Sequence, residues 1–158
     1  MAIVITIQNR QRTRRVDVAL LRRITRSLLA DQLELAEVEL GFNLVADEEM
    51  TRLNEGFLQH EGSTDVITFD YAEPKSRNSK PGAIHGEIFV CVQEAIRQAK
   101  RFRTTWQSEV VRYIVHGVLH LLGHDDKRAK TREKMKREEN RLVAKLVAEF
   151  DVARLSRS

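Results

Sequence analysis

The stretch "TWQSEVVRYIVHGVLHLLG" (105–123) constrains this chain most. Val111, Ile114, Val115, Val118, Leu119 and Leu122 recur in it at helical spacing. A helix this apolar has to be buried, so the rest of the chain must supply a layer for it to pack on. The same helix carries His116 and His120. Four residues apart, they share one face, about 6 Å apart along the axis. Imidazoles on a buried helix need polar partners, and this spacing suits two ligands of one metal ion.

The segment runs on as "HGVLHLLGHDD" (116–126), which adds His124, Asp125 and Asp126. On a straight helix His124 lies about 12 Å from His116, too far for one ion with metal–nitrogen bonds of about 2 Å. The helix must therefore end. Gly123 is placed to end it in the left-handed conformation, and the chain then folds back. The residue three past the glycine is Asp126, in the spacing that supplies the third zinc ligand in metzincins. The expected ligands are His116, His120 and Asp126. Three protein ligands leave a position open, as in catalytic rather than structural zinc sites. Gly117 stands where an HExxH peptidase carries its general base, so a peptidase-like metallohydrolase is the weakest reading. Hydrolysis by a metal-bound hydroxide, as in phosphodiester cleavage, remains open.

The rest of the chain alternates strands and helices. Strands are predicted at 2–8, 36–46, 65–71 and 84–92. Helices are predicted at 16–30 with Asp17 as N-cap, at 48–58 capped by Asp47, at 93–102, and at about 127–150. A loop at 72–83 holds both prolines. This is an α+β (α/β-like) pattern: one domain over 1–158, with a mixed sheet of about four strands surrounded by helices and a metal site at the end of the apolar helix.

Charge adds a second constraint. The net charge of +4 is unevenly spread: 10–26 carries seven arginines against Asp17, and 127–141 carries eight bases against three glutamates, whereas 31–61 carries nine acids and one base. Such runs are either solvated helix faces or contacts for a polyanion. With "RQAKRFR" (97–103) they suggest a polyanion partner, nucleic acid being the commonest, and a positive surface near the metal cleft. The lone Cys91, inside "EIFVCV", reads as a buried structural thiol. No apolar run is long enough for a membrane span, and the N-terminus lacks the pattern of a signal peptide. A cytoplasmic protein is expected.

Taken together, "HGVLHLLGHDD", "LNEGFLQHEGSTDVITFDY" and "HGEIFVC" resemble the motifs of the YbeY family of bacterial endoribonucleases, in order and over essentially the whole chain. The resemblance implies a zinc-dependent endoribonuclease specific for single strands, with one Zn2+ per chain. It also implies action on pre-rRNA, in maturing the 3′ end of small-subunit rRNA, and a part in ribosome quality control. The family's three metal histidines fall on His116, His120 and Asp126, so only the third differs. The family's cleft arginine falls on Leu58, which favours the alternative of a non-catalytic ribosome assembly factor that keeps its metal as a clip. His60 is either a substitute for that arginine or an ordinary surface histidine. Thr64 and Asp65 match a Thr-Asp pair, and either orient a strand or contact RNA. His85 either lines the cleft or sits on a solvated strand face.

Overall fold

The structure, a computed structural model, describes residues 2–72 and 83–156. The expected proline-containing loop lies, apart from its end residues, outside the described residues. Strands β1 (Ile3–Asn9), β2 (Glu37–Val45), β3 (Val66–Asp70) and β4 (Ala83–Cys91) form one sheet in the order β1-β2-β4-β3. β1 is parallel to β2 and β2 to β4, while β3 runs antiparallel to β4. The described residues form five α-helices: α1 (Val18–Arg26), α2 (Asp47–Phe57), α3 (Val92–Phe102), α4 (Trp106–Leu121) and α5 (Ala129–Glu149). A 3-10 turn, Val152–Ser156, follows. This is the mixed four-stranded α+β arrangement that the pattern predicts.

α4 is the central helix, and it packs on β4 and β3. Strand alternation decides what it meets. Ile84, Gly86, Ile88 and Val90 of β4 are buried, and Ile88 and Gly86 lie under the helix. A Cβ on Gly117 would stand 2.8 Å from Ile88 Cδ1, and one on Gly86 would stand 2.5 Å from the Phe69 carbonyl oxygen and 2.9 Å from Leu121 Cδ2. The two glycines let helix and strand approach closely. The main core joins α1, α4 and α5 to one face of the sheet, through Leu21, Ile24, Phe42, Ile88, Ile114, Leu119 and Leu142. A smaller cluster on the other face, Val45, Met50, Ile67, Phe89 and Cys91, includes a residue of α2. Cys91 is buried there, and burial pushes its thiol up.

Two helix starts and one helix end refine the expectations. Asp17 caps α1, its carboxylate accepting from Leu20 N–H at 3.0 Å. The helix expected at 16–30 changes character, however: its α part ends at Arg26 and continues as a π-helical turn, Ser27–Gln32. Ser27 there donates to the Glu149 carboxylate at 2.6 Å. Asp47 is not a cap. Ala46 holds the N-cap position, and Asp47 is the first helical residue. Its carboxylate is instead taken by Arg97, at 2.7 and 2.9 Å, and by the Cys91 thiol, at 3.3 Å. A charged fork from another helix outcompetes a local backbone amide.

Candidate metal centre and adjoining cavity

α4 ends one residue after His120, and its end builds the site. Leu122 is the C-cap, and Gly123 follows with φ 101°. Gly123 N–H donates to the His120 carbonyl, and His124 N–H to the Leu119 carbonyl, each at 3.0 Å. These paired bonds are a Schellman closure, which needs a left-handed residue where the glycine stands. The reversal brings the His124 carbonyl to 3.1 Å from His120 Nδ1. It also separates the two aspartates. Asp125 accepts from Lys127 N–H at 3.1 Å and from the Thr131 hydroxyl at 2.8 Å, which holds its carboxyl below the usual range and ties it to the start of α5. Asp126 is left facing the histidines, with Oδ2 3.9 Å from His120 Nε2. Ligand atoms of His116, His120 and Asp126 all lie within 4.8 Å of one another, and the His124 ring stands outside this group.

Glu139 of α5 orients the first histidine. It is 4% exposed, and its Oε1 lies 2.6 Å from His116 Nδ1. Its Oε2 accepts from Arg112 at 2.8 Å and from Lys136 at 3.4 Å. Burial alone pushes this carboxyl up, but the hydrogen bonds from His116 and Arg112 outweigh it and hold the group at about 2. An ionised carboxylate only accepts, so His116 Nδ1 carries the proton. A backbone carbonyl likewise only accepts, so His120 Nδ1 is protonated too. Burial, then the neighbouring His116, lowers the pKa of His120 and favours its neutral form. In the neutral rings both Nε2 atoms therefore present lone pairs, and they face each other 3.0 Å apart. Two facing lone pairs with a carboxylate beside them suit a cation held among them. The donor set of two neutral imidazoles and one carboxylate fits zinc.

A cavity of about 540 Å³ opens beside this cluster, and His116 and Asp126 line it. Among the expected substrate residues, Asp65 also lines it, while its Oδ1 accepts from Val66 N–H at 2.8 Å and so orients the start of β3. Thr64 bonds Asp65 at 3.3 Å and is not in the lining. His85 lies elsewhere. Its register on β4 turns it to the face away from α4, where it pairs with Glu39 at 3.4 Å and stacks edge-on with Tyr71. Neither His60 nor Leu58 lines the cavity; Leu58 is the exposed C-cap of α2.

The three basic segments do not gather at the cleft. Arg132 and Lys136, from the 127–141 run, line the cavity. α1 packs instead against the edge strand β1, with Arg23 and Arg26 exposed, and Arg97 is engaged by Asp47 and Glu94. Glu139, Arg112 and Tyr113 were not among the expected site residues. One signal does mark Glu139: it occupies an apolar slot of α5, between the buried Met135 and Leu142.

The family model for endoribonuclease YbeY matches residues 6–147. Endoribonuclease YbeY of Syntrophotalea carbinolica is 32% identical over 148 residues, covering 92% of this chain and 97% of that protein. The Salinibacter ruber protein of the same name is 31% identical over 142 residues, 88% of this chain and 89% of that one. The match to the Myxococcus xanthus YbeY is 38% identical over 112 residues but spans only 38% of that longer protein. The solution structure of TM1509 from Thermotoga maritima superposes with a TM-score of 0.67 at 24% identity, covering 98% of this chain and 97% of that one, and shows the shared fold.

Proposed function

Since this chain belongs to the endoribonuclease YbeY family, we propose that it is a zinc-dependent endoribonuclease that cuts single-stranded RNA. Its expected substrate is pre-rRNA, in the maturation of the 3′ end of small-subunit rRNA, with a part in ribosome quality control in the cytoplasm; the small ribosomal subunit is its expected partner. No helix among the described residues is long and apolar enough to cross a membrane. The observation that carries the reading is the pair of Nε2 atoms facing each other at 3.0 Å beside Asp126, at the edge of a cavity open to a substrate.

His116, His120 and Asp126 would hold the ion. When bound, zinc supplies Lewis acidity and makes water a nucleophile near neutral pH. The protein's own groups do the rest. Glu139 and the His124 carbonyl hold the two Nδ1 protons and aim both Nε2 atoms at one point. Arg132 and Lys136 line the cavity and attract a phosphodiester. The position after the first histidine is Gly117, packed against Ile88, so no carboxylate stands there to act as a peptidase base.

Cleavage of single-stranded RNA by purified protein tests the proposal. It should vanish with chelator, return with zinc, and be absent in His116→Ala. Leu58, in the position of the family's arginine, favours a second reading: a non-catalytic ribosome assembly factor. That reading takes over if wild-type protein binds ribosomal RNA but cuts no RNA beyond the His116→Ala control.

A further inference from the structure

We propose that the cavity beside the histidine cluster is a nucleobase subsite, with Tyr113 hydrogen-bonding the base and Phe102 stacking on it, and with Arg132 and Lys136 taking the flanking phosphate. The inference rests on the ribonuclease reading and adds to it which part of the substrate this chain grips, and with what.

Tyr113 carries the argument. It is 5% exposed and lines the cavity, on the same face of α4 as His116. Its hydroxyl is the one buried side-chain polar atom without a hydrogen-bond partner among the described residues. Leaving a buried hydroxyl unpaired destabilises a fold. Phenylalanine would fill the same core space without that cost, so nothing in the packing calls for the oxygen. The oxygen itself is closed off from the cavity that the residue lines, so a group seated there partners it once the side chain turns toward the cavity.

The shape and charge of the cavity select the occupant. Its volume, about 540 Å³, is in the range of small-ligand sites. Phe102 is 59% exposed and stands in the lining; the Arg101 guanidinium lies over one face of its ring, 5.3 Å from the centroid, which leaves the opposite face for stacking. Besides Asp126 and Glu139 at the histidine cluster and the exposed Glu133, two further acids line the cavity, Asp65 and the buried Glu109, which is 6% exposed. They repel a phosphate from the interior but accept from the amino or imino groups of a base. A neutral, planar group with both donors and acceptors on its edge satisfies the hydroxyl and the carboxylates together. The phosphate is left to Arg132 and Lys136, exposed residues one helical turn apart on α5. Because His116 and Asp126 line the same cavity, the gripped nucleotide lies next to the bond to be cut.

The test is binding of a fluorescein-labelled, mixed-sequence single-stranded oligoribonucleotide, with chelator present so that nothing is cleaved. The same oligonucleotide with abasic positions serves as the control, and the KM of the zinc-loaded protein is a second readout. Tyr113→Phe should weaken binding roughly three- to tenfold while raising the melting temperature. Phe102→Ala, at an exposed position, should weaken it about tenfold or more. Neither change should alter binding of the abasic control. If both variants bind and cleave RNA like wild type, the subsite is overturned and the nuclease reading stands. A wild-type protein that discriminates poorly between the normal and abasic RNA also overturns it. If wild type neither binds nor cuts RNA, the nuclease reading fails first and the subsite falls with it.

Discussion

Oε1 of Glu139 lies 2.6 Å from Nδ1 of His116, so a carboxylate on α5 decides which nitrogen of a histidine on α4 faces its neighbour. Partners of this kind, behind a metal-ligating histidine, typically contribute 10- to 100-fold to metal affinity. Glu139→Ala should therefore weaken zinc binding by about that factor. Glu139→Gln should weaken it less, because an amide oxygen still accepts the Nδ1 proton. Competition against a chromophoric chelator measures both. Wild-type affinity in the alanine variant would mean that His116 is oriented by other contacts.

The turn at Gly123 predicts a clear division between neighbouring residues. His116→Ala, His120→Ala and Asp126→Ala should each lower zinc content from about one ion per chain to near none. His124→Ala should change it little, since only its backbone carbonyl reaches His120. Asp126→His should retain the ion, because imidazole is an equally good zinc ligand. Elemental analysis after gentle purification reads all five. Metal lost in His124→Ala but kept in Asp126→Ala would reverse the assignment.

Gly86 and Gly117 should differ in their tolerance of a methyl group. At Gly117 the clash is with Ile88, whose side chain can shift, and alanine is favoured in helices by about 1 kcal/mol. Gly117→Ala should cost a net 1–2 kcal/mol, roughly, within the usual range for overpacking. At Gly86 the clash at 2.5 Å is with a backbone carbonyl, which cannot move without disturbing the β3–β4 pairing. Gly86→Ala should cost about 3 kcal/mol or more. Urea denaturation of the two variants compares them directly, and equal costs would contradict the contact geometry.

Asp47 links stability to acid. The Arg97 guanidinium holds its carboxyl at about 2, below the ordinary 3.8. A folded-state pKa below the unfolded one means that the contribution is fully present above about 3.8 and is lost as pH falls toward 2. Both side chains are partly exposed, so solvent screens the pair and its contribution is modest. Urea midpoints of wild type and Asp47→Asn should differ at pH 6 and converge near pH 2. A gap that widens toward acid would show that Arg97 does not set this carboxyl.

Leu58 is 43% exposed at the end of α2. Leu58→Arg should therefore shift stability by no more than about 0.5 kcal/mol. If the family arginine acts from this position, the variant should also raise kcat/KM for single-stranded RNA. Unchanged kcat/KM in an active enzyme would instead leave the phosphate to Arg132 and Lys136.

What the sequence determined by itself was local. Helical periodicity in 105–123, the glycine at 123 and the offset to Asp126 are all set within a few turns of chain, so the helix end and the nearness of Asp126 to the two histidines were legible. The alternation of strands and helices likewise carried the mixed α+β class. The rest needed the tertiary structure, because it depends on contacts between residues far apart in the chain. The order β1-β2-β4-β3 decides that α4 covers β4 and β3, and the phase of β4 turns His85 to the opposite face. The basic segments read alike in sequence, yet packing sends α1 to the β1 edge, engages Arg97 with Asp47, brings Gln98 and Phe102 but no base of 97–103 to the cavity, and leaves the α5 run to supply Arg132 and Lys136 there. Glu139 lies 23 residues from His116, and Tyr113 reads as one more aromatic on an apolar helix. Only the packing of α5 against α4 makes the first an orienting carboxylate and the second a buried hydroxyl without a partner, because burial and pairing are properties of the assembled layers and not of any one segment.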